Sequence, residues 1–374
     1  LCRGGFEGEI TVFHDEAGAP CPRPPLSKTP FDQPLSDRDK TLIPEPIAQD
    51  PRVHWVYERA TEIEPETGRI VTDTTEACFD HLVIATGTRA KRPVIEGLSD
   101  EDIHLMRTLA DRERLSASLP NSQDVAIIGA GYMAYEIAAS LPSHLRVTIL
   151  ARGPRGLPQV SDAIADRLID KSPAETLTGC DTLGWENGHL LTGNARVPAD
   201  CVIAAIGTEP NVDLLVPHGL GDANGVPVDG TMRTGHPKVS AIGEVARHPR
   251  ANGAGKVRIE SISEANDTAT VLAKRLLGNP TSWSATPWFW SDQGAEKLQI
   301  AGLAERTDEA FCLSQEAGSL VVLRHQGDQV TAVEALNAAR EFMAARRLLE
   351  RGAVSVTEVR EHGSLMALLQ SSSS

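Results

Sequence analysis

The chain has few of the features that mark disulfide-bonded, metal-binding or membrane-spanning proteins. Its six cysteines, at positions 2, 21, 78, 180, 201 and 312, include no C-x-x-C pair, and its eleven histidines show no metal-ligand spacing. No apolar run approaches the roughly 20 residues that a membrane span needs, and the first residues do not resemble a signal peptide. The net charge of −15 disfavours nucleic acid and acidic membrane surfaces as partners. These absences predict a cytoplasmic protein without a metal site.

What the chain does have is enough apolar sequence for more than one domain. Of its 374 residues, 41% are apolar and 23% are charged, so it can bury a large core, and its length predicts two or three domains. Pro280 and the Ser/Thr-rich residues after it predict a domain boundary. The remaining residues alternate predicted strands (298–301, 319–323 and 330–336) with a helix at 338–351.

The clearest motif is a glycine-rich turn between a strand and a helix. An apolar strand at 125–128 runs into Gly129-Ala-Gly131-Tyr-Met-Ala134, an amphipathic helix follows, and a second strand is predicted at 146–150. Gly129 permits the tight turn, Gly131 lets the backbone approach a pyrophosphate, and Ala134 allows close packing of the helix. The amides that begin the helix would face the phosphates. The motif predicts a dinucleotide site, although such turns also occur in other α/β proteins.

A strand followed by small residues and a glycine occurs twice more. Residues 79–89 contain Ala-Thr-Gly87 near their end, and residues 199–211 contain Ala-Ala-Ile-Gly207. Small residues at such turns let the backbone pass close to a ligand. Two crossovers at matching places predict two similar domains.

Acidic residues follow two other predicted strands. Residues 8–16 end in Glu16, where a carboxylate can receive ribose hydroxyl groups. The matching glycine loop should lie about twenty residues upstream, before residue 1, and the chain does not begin with Met, so it is expected to be a portion of a longer protein. A strand beginning at Lys238 ends in Gly243-Glu244 and precedes a helix predicted at 261–277.

Two other segments have local signals of their own. The Pro-rich residues 20–28 predict a stiff loop that cannot be a helix, and residues 51–72 predict a short meander.

Five motifs occur in the order seen in one enzyme family. They are Arg23-Pro-Pro-Leu-Ser-Lys28, Leu-Val-Ile-Ala-Thr86-Gly87, Ile-Gly207-Thr-Glu-Pro-Asn, Phe-Trp290-Ser-Asp-Gln and Phe-Met-Ala-Ala-Arg-Arg-Leu at 342–348. Together they resemble the FAD-dependent ferredoxin and rubredoxin reductases of Rieske dioxygenase and cytochrome P-450 systems, the group that contains putidaredoxin reductase. The resemblance runs from about residue 8 to the end of the chain.

The resemblance implies an α/β, glutathione-reductase-like fold with two dinucleotide-binding domains and a C-terminal α+β domain. An FAD-binding domain at 1–105 and 225–283, without its first βα unit, would be interrupted by an NAD(P)H-binding domain at 106–224, and the C-terminal domain would occupy 284–374. The implied activity is that of a flavoprotein oxidoreductase. It would pass a hydride from NADH or NADPH to FAD, and single electrons onward to a ferredoxin- or rubredoxin-type iron–sulfur protein. The electron acceptor's identity and the oligomeric state, homo- or hetero-oligomer, stay open.

The resemblance also assigns roles to single residues. Lys28, Glu136 and Trp290 would act at the reaction centre, with Glu136 beside the nicotinamide and Trp290 against the flavin. The residues that would bind the cofactors are Glu16, Arg23, Lys28, Thr86, Gly87, Gly129, Gly131, Ala134, Arg152, Gly207, Gly243, Glu244 and Trp290. Plainer interpretations compete: a solvated basic pair for Arg23 and Lys28, a core aromatic for Trp290, and a carboxylate in a helix first turn for Glu136.

Departures from the family pattern predict weakened cofactor binding. The first glycine loop is absent, Glu244 stands where the family has Asp, and Ala151-Arg152 replaces the acid expected after the second nucleotide strand. Arg152 could instead meet a 2′-phosphate, which weakly favours NADPH. The stretch 156–199 is also short, with Lys171-Ser-Pro where a regular unit would continue. Two alternatives stay open: a reductase, or a diverged relative with weak or lost flavin binding that acts as a binding or scaffolding subunit.

Two further features have competing interpretations. Cys21 is a candidate redox thiol of a flavin peroxidase or CoA-disulfide reductase, but it precedes a Pro-rich loop and not the helix N-terminus that would activate it. The basic helix Arg340–Arg351 is either an amphipathic surface helix or a docking face for an acidic ferredoxin.

Overall fold

The computed structural model describes residues 1–16, 18–250, 255–316 and 318–372, and the chain divides into two units. The first unit contains Leu1–Pro22, Leu35–Arg89 and Thr208–Ala285, and the second contains Arg23–Pro34, Ala90–Gly207 and Thr286–Ser374. The short segment Arg23–Pro34 therefore belongs to the second unit, although its neighbours in sequence belong to the first. The four-segment domain division stays a prediction.

The strands and helices are numbered in chain order. The strands are β1 (Ile10–Phe13), β2 (Val53–Val56), β3 (Glu62–Glu64), β4 (Arg69–Val71), β5 (Glu76–Cys78), β6 (Leu82–Ile84), β7 (Thr88–Ala90), β8 (Ile103–His104), β9 (Asp124–Ile128), β10 (Arg146–Ala151), β11 (Glu175–Thr178), β12 (Thr182–Glu186), β13 (His189–Thr192), β14 (Arg196–Pro198), β15 (Cys201–Ala204), β16 (Thr208–Pro210), β17 (Val226–Pro227), β18 (Val239–Ala241), β19 (Ala246–Pro249), β20 (Lys256–Val257), β21 (Trp288–Gln293), β22 (Glu296–Gly302), β23 (Glu309–Glu316), β24 (Ser319–Gln326) and β25 (Gln329–Leu336). The helices are α1 (Pro24–Lys28), α2 (Asp37–Lys40), α3 (Glu45–Ala48), α4 (Leu109–Ser118), α5 (Tyr132–Ser140), α6 (Asp162–Lys171), α7 (Ile262–Leu276), α8 (Ala339–Arg351), α9 (Val356–His362) and α10 (Leu365–Ser371).

In the first unit, two parallel strands bring their glycine turns to one edge. β18 pairs with β6 so that Ala241 lies opposite Ile84. Both strands therefore end together, just before the turns at Gly87 and Gly243. β1 pairs in parallel with β2, whereas β3, β4 and β5 form an antiparallel meander. The meander predicted at 51–72 is thus shifted along the chain, because its first strand, β2, belongs to another sheet.

In the second unit, a parallel sheet carries the nucleotide motif. Its strand order is β11-β10-β9-β15-β8, and α5 connects β9 to β10. The strand, turn, helix and strand predicted from residue 125 onward are confirmed. The expected interruption at Lys171-Ser-Pro173 is wrong: α6 ends at Lys171, and β11 then adds a regular edge strand. Proline suits this place because it lies in the connection, where no ladder donor is needed.

The C-terminal part of the second unit is an antiparallel sheet covered by helices. Its strand order is β21-β22-β25-β24-β23. Phe342, Ala345 and Leu348 of α8 pack with Val359 of α9 and Leu365 of α10 in one buried cluster. The strands and the helix predicted here are confirmed, with α8 beginning at Ala339.

The prediction that 20–28 cannot be helical is wrong for Pro24–Lys28, which forms α1. Pro24 and Pro25 occupy the first positions of the helix, where a backbone N–H has no intrahelical acceptor and where the fixed φ of proline suits the helix. Proline breaks a helix in its interior and not at its start. Among the described residues, no helix is both long and apolar enough to cross a membrane.

Candidate functional site

The nucleotide turn, residues 129–131 between β9 and α5 of the second unit, has a backbone that only glycine adopts without strain at its first position. Gly129 has a φ of +102°, and a Cβ added to it would overlap the carbonyl oxygen of Ala205. Its N–H donates to the Leu150 carbonyl at 2.9 Å, which fixes the turn to the end of β10. Gly131 precedes α5, and a Cβ there would approach Gln159 Nε2 to 3.1 Å. Ala134 is fully buried.

The start of α5 fits a phosphate group. Within the described ranges, the backbone amides of Tyr132 and Met133 have no acceptor, as expected for the first turn of a helix. Such amides and the helix dipole attract anions. The turn therefore fits the pyrophosphate of a nicotinamide dinucleotide, which is the role predicted for Gly129, Gly131 and Ala134.

Two arginines follow β10, and they differ in their contacts. Ala151 is buried, and Arg152 beside it is exposed and makes no hydrogen bond or ion pair with any residue that the structure describes. Arg155 is held by the protein, because it pairs with Asp162 at 2.7 Å and donates to the Val160 carbonyl at 2.6 Å. Arg152 is thus the arginine whose guanidinium is available to a ligand.

In the first unit, the turn at Thr86 and Gly87 is fastened by Asn211. Thr86 Oγ1 donates to the Asn211 carbonyl at 2.7 Å, and Asn211 Nδ2 donates to the Thr86 carbonyl at 2.8 Å. Gly87 has a φ of +60°. The turn follows the carboxyl end of β6, the end at which parallel α/β sheets bind ligands.

The turn after β18 lies at the same edge of the first unit. Gly243 has a φ of +70° and donates its N–H to Thr268 Oγ1 at 2.9 Å. Thr88 Oγ1 donates to the Glu244 carboxylate at 2.9 Å. Two left-handed glycine turns at one carboxyl edge fit the close approach of a dinucleotide such as FAD. Glu16 lies in the same unit, beyond the end of β1, and is half-buried.

Glu136 is the centre of a buried polar cluster in the second unit. It is only 4% exposed and lies beyond the first turn of α5, so the helix dipole does not account for it. The Lys28 ammonium forms an ion pair with Oε1, to which the Ser291 hydroxyl also donates at 2.7 Å. The Ser27 hydroxyl donates to Oε2 at 2.6 Å. Three donors from α1 and β21 therefore satisfy the carboxylate, as a buried charge requires.

Trp290 joins this cluster from β21. Its Nε1 donates to Asp292 at 3.0 Å, and its ring stacks with Trp288 at a centroid separation of 5.8 Å. Lys28 Nζ lies 5.8 Å from the centroid of the Trp290 ring, within the range of a cation–π interaction. The structure thus brings Glu136 and Trp290 together around Lys28, and the roles of the three residues at a reaction centre stay predictions.

The other predicted residues mark the ends of segments. Arg23 occupies the position before α1 and donates to the Arg107 carbonyl at 3.1 Å. Gly207 has a φ of +94°, and its carbonyl accepts from the Lys91 N–H at 2.9 Å. No group of three or more His, Cys, Asp or Glu side chains that could hold a metal ion occurs in the part of the chain that the structure describes.

Sequence reasoning missed Ser27, Ser291 and Tyr132 as contributors to this site. Tyr132 begins α5 and makes an edge contact with Phe289 at a centroid separation of 4.8 Å. Burial raises its pKa well above the ordinary range of a tyrosine. Ser27 precedes Lys28 and Ser291 follows Trp290 in two of the five family motifs. This adjacency was the sequence signal that could have indicated them.

Comparison with known proteins identifies the family. Residues 2–269 match the pyridine nucleotide-disulphide oxidoreductase family, and residues 288–362 match the reductase C-terminal family. The chain is 32% identical over 359 residues to rhodocoxin reductase of Rhodococcus erythropolis, an alignment that covers 92% of this chain and 84% of that protein. The chain belongs to the ferredoxin reductase family. It is also 31% identical over 370 residues to putidaredoxin reductase of Pseudomonas putida, covering 93% of this chain and 87% of that protein.

Solved structures of the family share its fold. The ferredoxin reductase of the CYP199A2 system from Rhodopseudomonas palustris matches with a TM-score of 0.91 and 27% identity, over 100% of this chain and 95% of that chain. Putidaredoxin reductase in its covalent complex with putidaredoxin gives the same score and identity, over 100% of this chain and 94% of that chain. The predicted family, fold class and class of enzyme are confirmed. Membership of the family implies FAD and NAD(P)H as cofactors, as the sequence predicts.

Proposed function

We propose that this chain is an NAD(P)H-dependent ferredoxin reductase that passes electrons through FAD to a ferredoxin-type iron–sulfur protein of an oxygenase system. The observation that carries the proposal is the cluster of Lys28, Glu136 and Trp290, whose buried carboxylate lies on α5, the helix that begins at the nucleotide turn. Several named relatives are ferredoxin reductases of oxygenase systems. The alternative of a flavin-free scaffolding subunit has no such observation in its favour, and the strength of FAD binding stays a prediction.

The residues of the second unit would bind and orient the nicotinamide. The amides of Tyr132 and Met133 would hold its pyrophosphate, and Glu136 lies one helical turn further along α5. Bound FAD supplies the capacity to accept a hydride and to release electrons singly. Lys28 would hold its ammonium beside Trp290, because the Glu136 carboxylate pairs with it.

The exposed side of α8 supports an acidic iron–sulfur protein as the partner. Arg340, Arg347 and Arg351 are exposed there, together with Met343, a residue that is 44% exposed. The spacing of these residues places them along one side of the helix. A basic stripe on a protein whose net charge is −15 complements an acidic partner and speeds its encounter.

The cysteines fit this assignment and a cytoplasmic location, which is part of the proposal. All six are free thiols, as is usual in a reducing compartment. Cys21 is only 4% exposed, which disfavours its attack on a peroxide or a disulfide substrate.

The experiment that tests the function combines a spectrum with transient kinetics. Purified protein, incubated with FAD and freed of excess, is expected to show the visible absorption bands of bound flavin. Anaerobic mixing with NADPH or NADH should bleach these bands, and an oxidised [2Fe–2S] ferredoxin should restore them. Protein that takes up no FAD would contradict the proposal and favour the scaffolding alternative.

The coenzyme preference is a separate prediction, and we propose NADPH on the basis of the exposed Arg152. Arg152→Ala should raise the KM for NADPH about 10- to 100-fold, since a charge-assisted contact to phosphate is worth roughly 1.5–3 kcal/mol, and it should leave the KM for NADH unchanged. Arg155→Ala is the matched control, because this arginine is engaged with Asp162 and the Val160 carbonyl. A wild-type protein that uses NADH far better than NADPH would refute the assignment.

A further inference from the structure

Arg112 is a buried arginine whose hydrogen bonds go to backbone carbonyls. It lies on α4, is 3% exposed, and forms no ion pair with any residue in the described ranges. Its Nη1 donates to the carbonyls of Leu26 and Thr29, each at 2.8 Å, and its Nη2 donates to that of Pro30 at 2.9 Å. Burial lowers its pKa. Burying a cation without a carboxylate partner costs free energy. The part of the chain that Arg112 binds should therefore account for its burial.

The three carbonyls surround the C-terminal end of α1, where Lys28 is the last helical residue. Carbonyls at the end of a helix have no intrahelical donor, and a cation there also complements the helix dipole. A helix of only five residues is not stable by itself. The guanidinium carbon of Arg112 also lies 3.8 Å from the centroid of the Phe31 ring. Arg112 therefore fixes the chain on both sides of Lys28.

Another side of α1 contacts α5, the helix that carries Glu136. Ser140 Oγ of α5 donates to the Ser27 carbonyl at 2.7 Å, and the Phe31 N–H donates to the Ser140 carbonyl at 2.9 Å. α1 is thus held between α4 and α5, and Arg112 is its polar attachment to α4. Without that attachment, the Leu26 and Thr29 carbonyls would lose the donor that Arg112 supplies, and α1 could move relative to Glu136.

We propose that Arg112 is a positioning residue that holds the Lys28 ammonium against Glu136. Its effect on electron transfer rests on the proposed function, whereas its effect on Lys28 does not. Arg112 itself acts through α1 and the three residues that follow it, and it does not touch Lys28 Nζ or Glu136 in any contact that the structure describes. The guanidinium geometry matters here, because one planar group reaches three carbonyls and the ammonium of a lysine cannot match that arrangement.

The test measures the reactivity of Lys28 without any cofactor. Arg112→Met and Arg112→Lys are treated with an amine-acylating reagent, and the labelling of each lysine is followed by mass spectrometry. In Arg112→Met, Lys28 should react about 10-fold faster than in the wild type, since a group released from a protected structure reacts from its open state. Arg112→Lys should show a smaller increase. Lys171 and Lys297, whose side chains are 50% and 57% exposed, should be unchanged.

Arg114→Met is the matched control, because Arg114 lies on the same helix and donates to the Ile103 carbonyl at 2.6 Å, away from α1. Unchanged Lys28 labelling in both Arg112 variants, even with lowered thermal stability, would overturn the proposal and leave Arg112 a purely structural residue. If Arg112→Met does not fold, Arg112→Lys decides by the same readout. In protein loaded with FAD, Arg112→Lys should lower kcat for NAD(P)H oxidation with little change in KM. Faster labelling with no flavin reduction in any variant would contradict the function and support the positioning role.

Discussion

Lys28→Met is expected to slow flavin reduction by NAD(P)H by about 10²-fold, the loss typical when a preorganised charge is removed from a reaction centre. It should also lower the free energy of unfolding. Glu136 is 4% exposed, and without the ammonium its carboxylate keeps, among the residues that the structure describes, only the hydroxyl donors of Ser27 and Ser291. Leaving a buried charge without its partner costs roughly 3–5 kcal/mol, and the two hydroxyl groups place the expected loss at the lower end.

The double variant Lys28→Met/Glu136→Gln separates the two effects. It removes both charges, so most of the lost stability should return, whereas the rate should stay low. Lys297→Met is the matched control, since this lysine is 57% exposed on β22 and lies 3.9 Å from Asp292. Urea denaturation and stopped-flow absorbance give the two readouts. A Lys28→Met protein with wild-type flavin reduction would remove Lys28 from the reaction centre.

The parts of the fold that the sequence predicts are those with local signals. Gly129 and Gly131 between two apolar strands specify the nucleotide turn within a short stretch of chain, and the structure has it there. α7 begins after Ser261, which accepts from the Glu264 N–H, a helix start that is visible in the sequence. Such elements depend on neighbours only a few residues away, so periodicity and capping suffice.

The partners of the buried polar groups could not be predicted in the same way. Glu136 bonds Ser27 and Ser291, which are 109 and 155 positions away. Arg112 looks like an ordinary charged residue of a polar helix, yet it is buried against carbonyls of a segment that precedes it by more than 80 positions. Pattern indicates which face of an element is buried, but it does not indicate which distant group satisfies a charge on that face. The family motifs predicted Lys28, Glu136 and Trp290, and their physical connections came only from the structure.

Arg324→Met is expected to cost roughly 3–5 kcal/mol of stability, because it leaves the Glu334 carboxylate buried without its cation. Arg324 and Glu334 lie on β24 and β25, and their Nη1 and Oε1 atoms are 3.0 Å apart with side chains 6% and 1% exposed. Glu334 also accepts from the N–H and the hydroxyl of Ser161, the N-cap residue that precedes α6. The charge pair therefore joins the C-terminal sheet to a helix of the nucleotide-binding part within the second unit.

Replacing both charged residues separates the contribution of the Glu334–Ser161 hydrogen bonds from the cost of leaving one buried charge unpaired. Arg324→Met/Glu334→Leu removes the unpaired charge but leaves the Ser161 N–H without an acceptor, so it should recover part of the stability and not all of it. Glu350→Gln is the control: Glu350 pairs with Arg346 on the exposed side of α8 at 3.5 Å, and such pairs contribute about 0.3–0.5 kcal/mol. Urea denaturation measures each variant. Full recovery in the double variant would show that the bond to Ser161 contributes nothing, and an Arg324→Met protein as stable as the wild type would mean that the Glu334 charge is satisfied without Arg324.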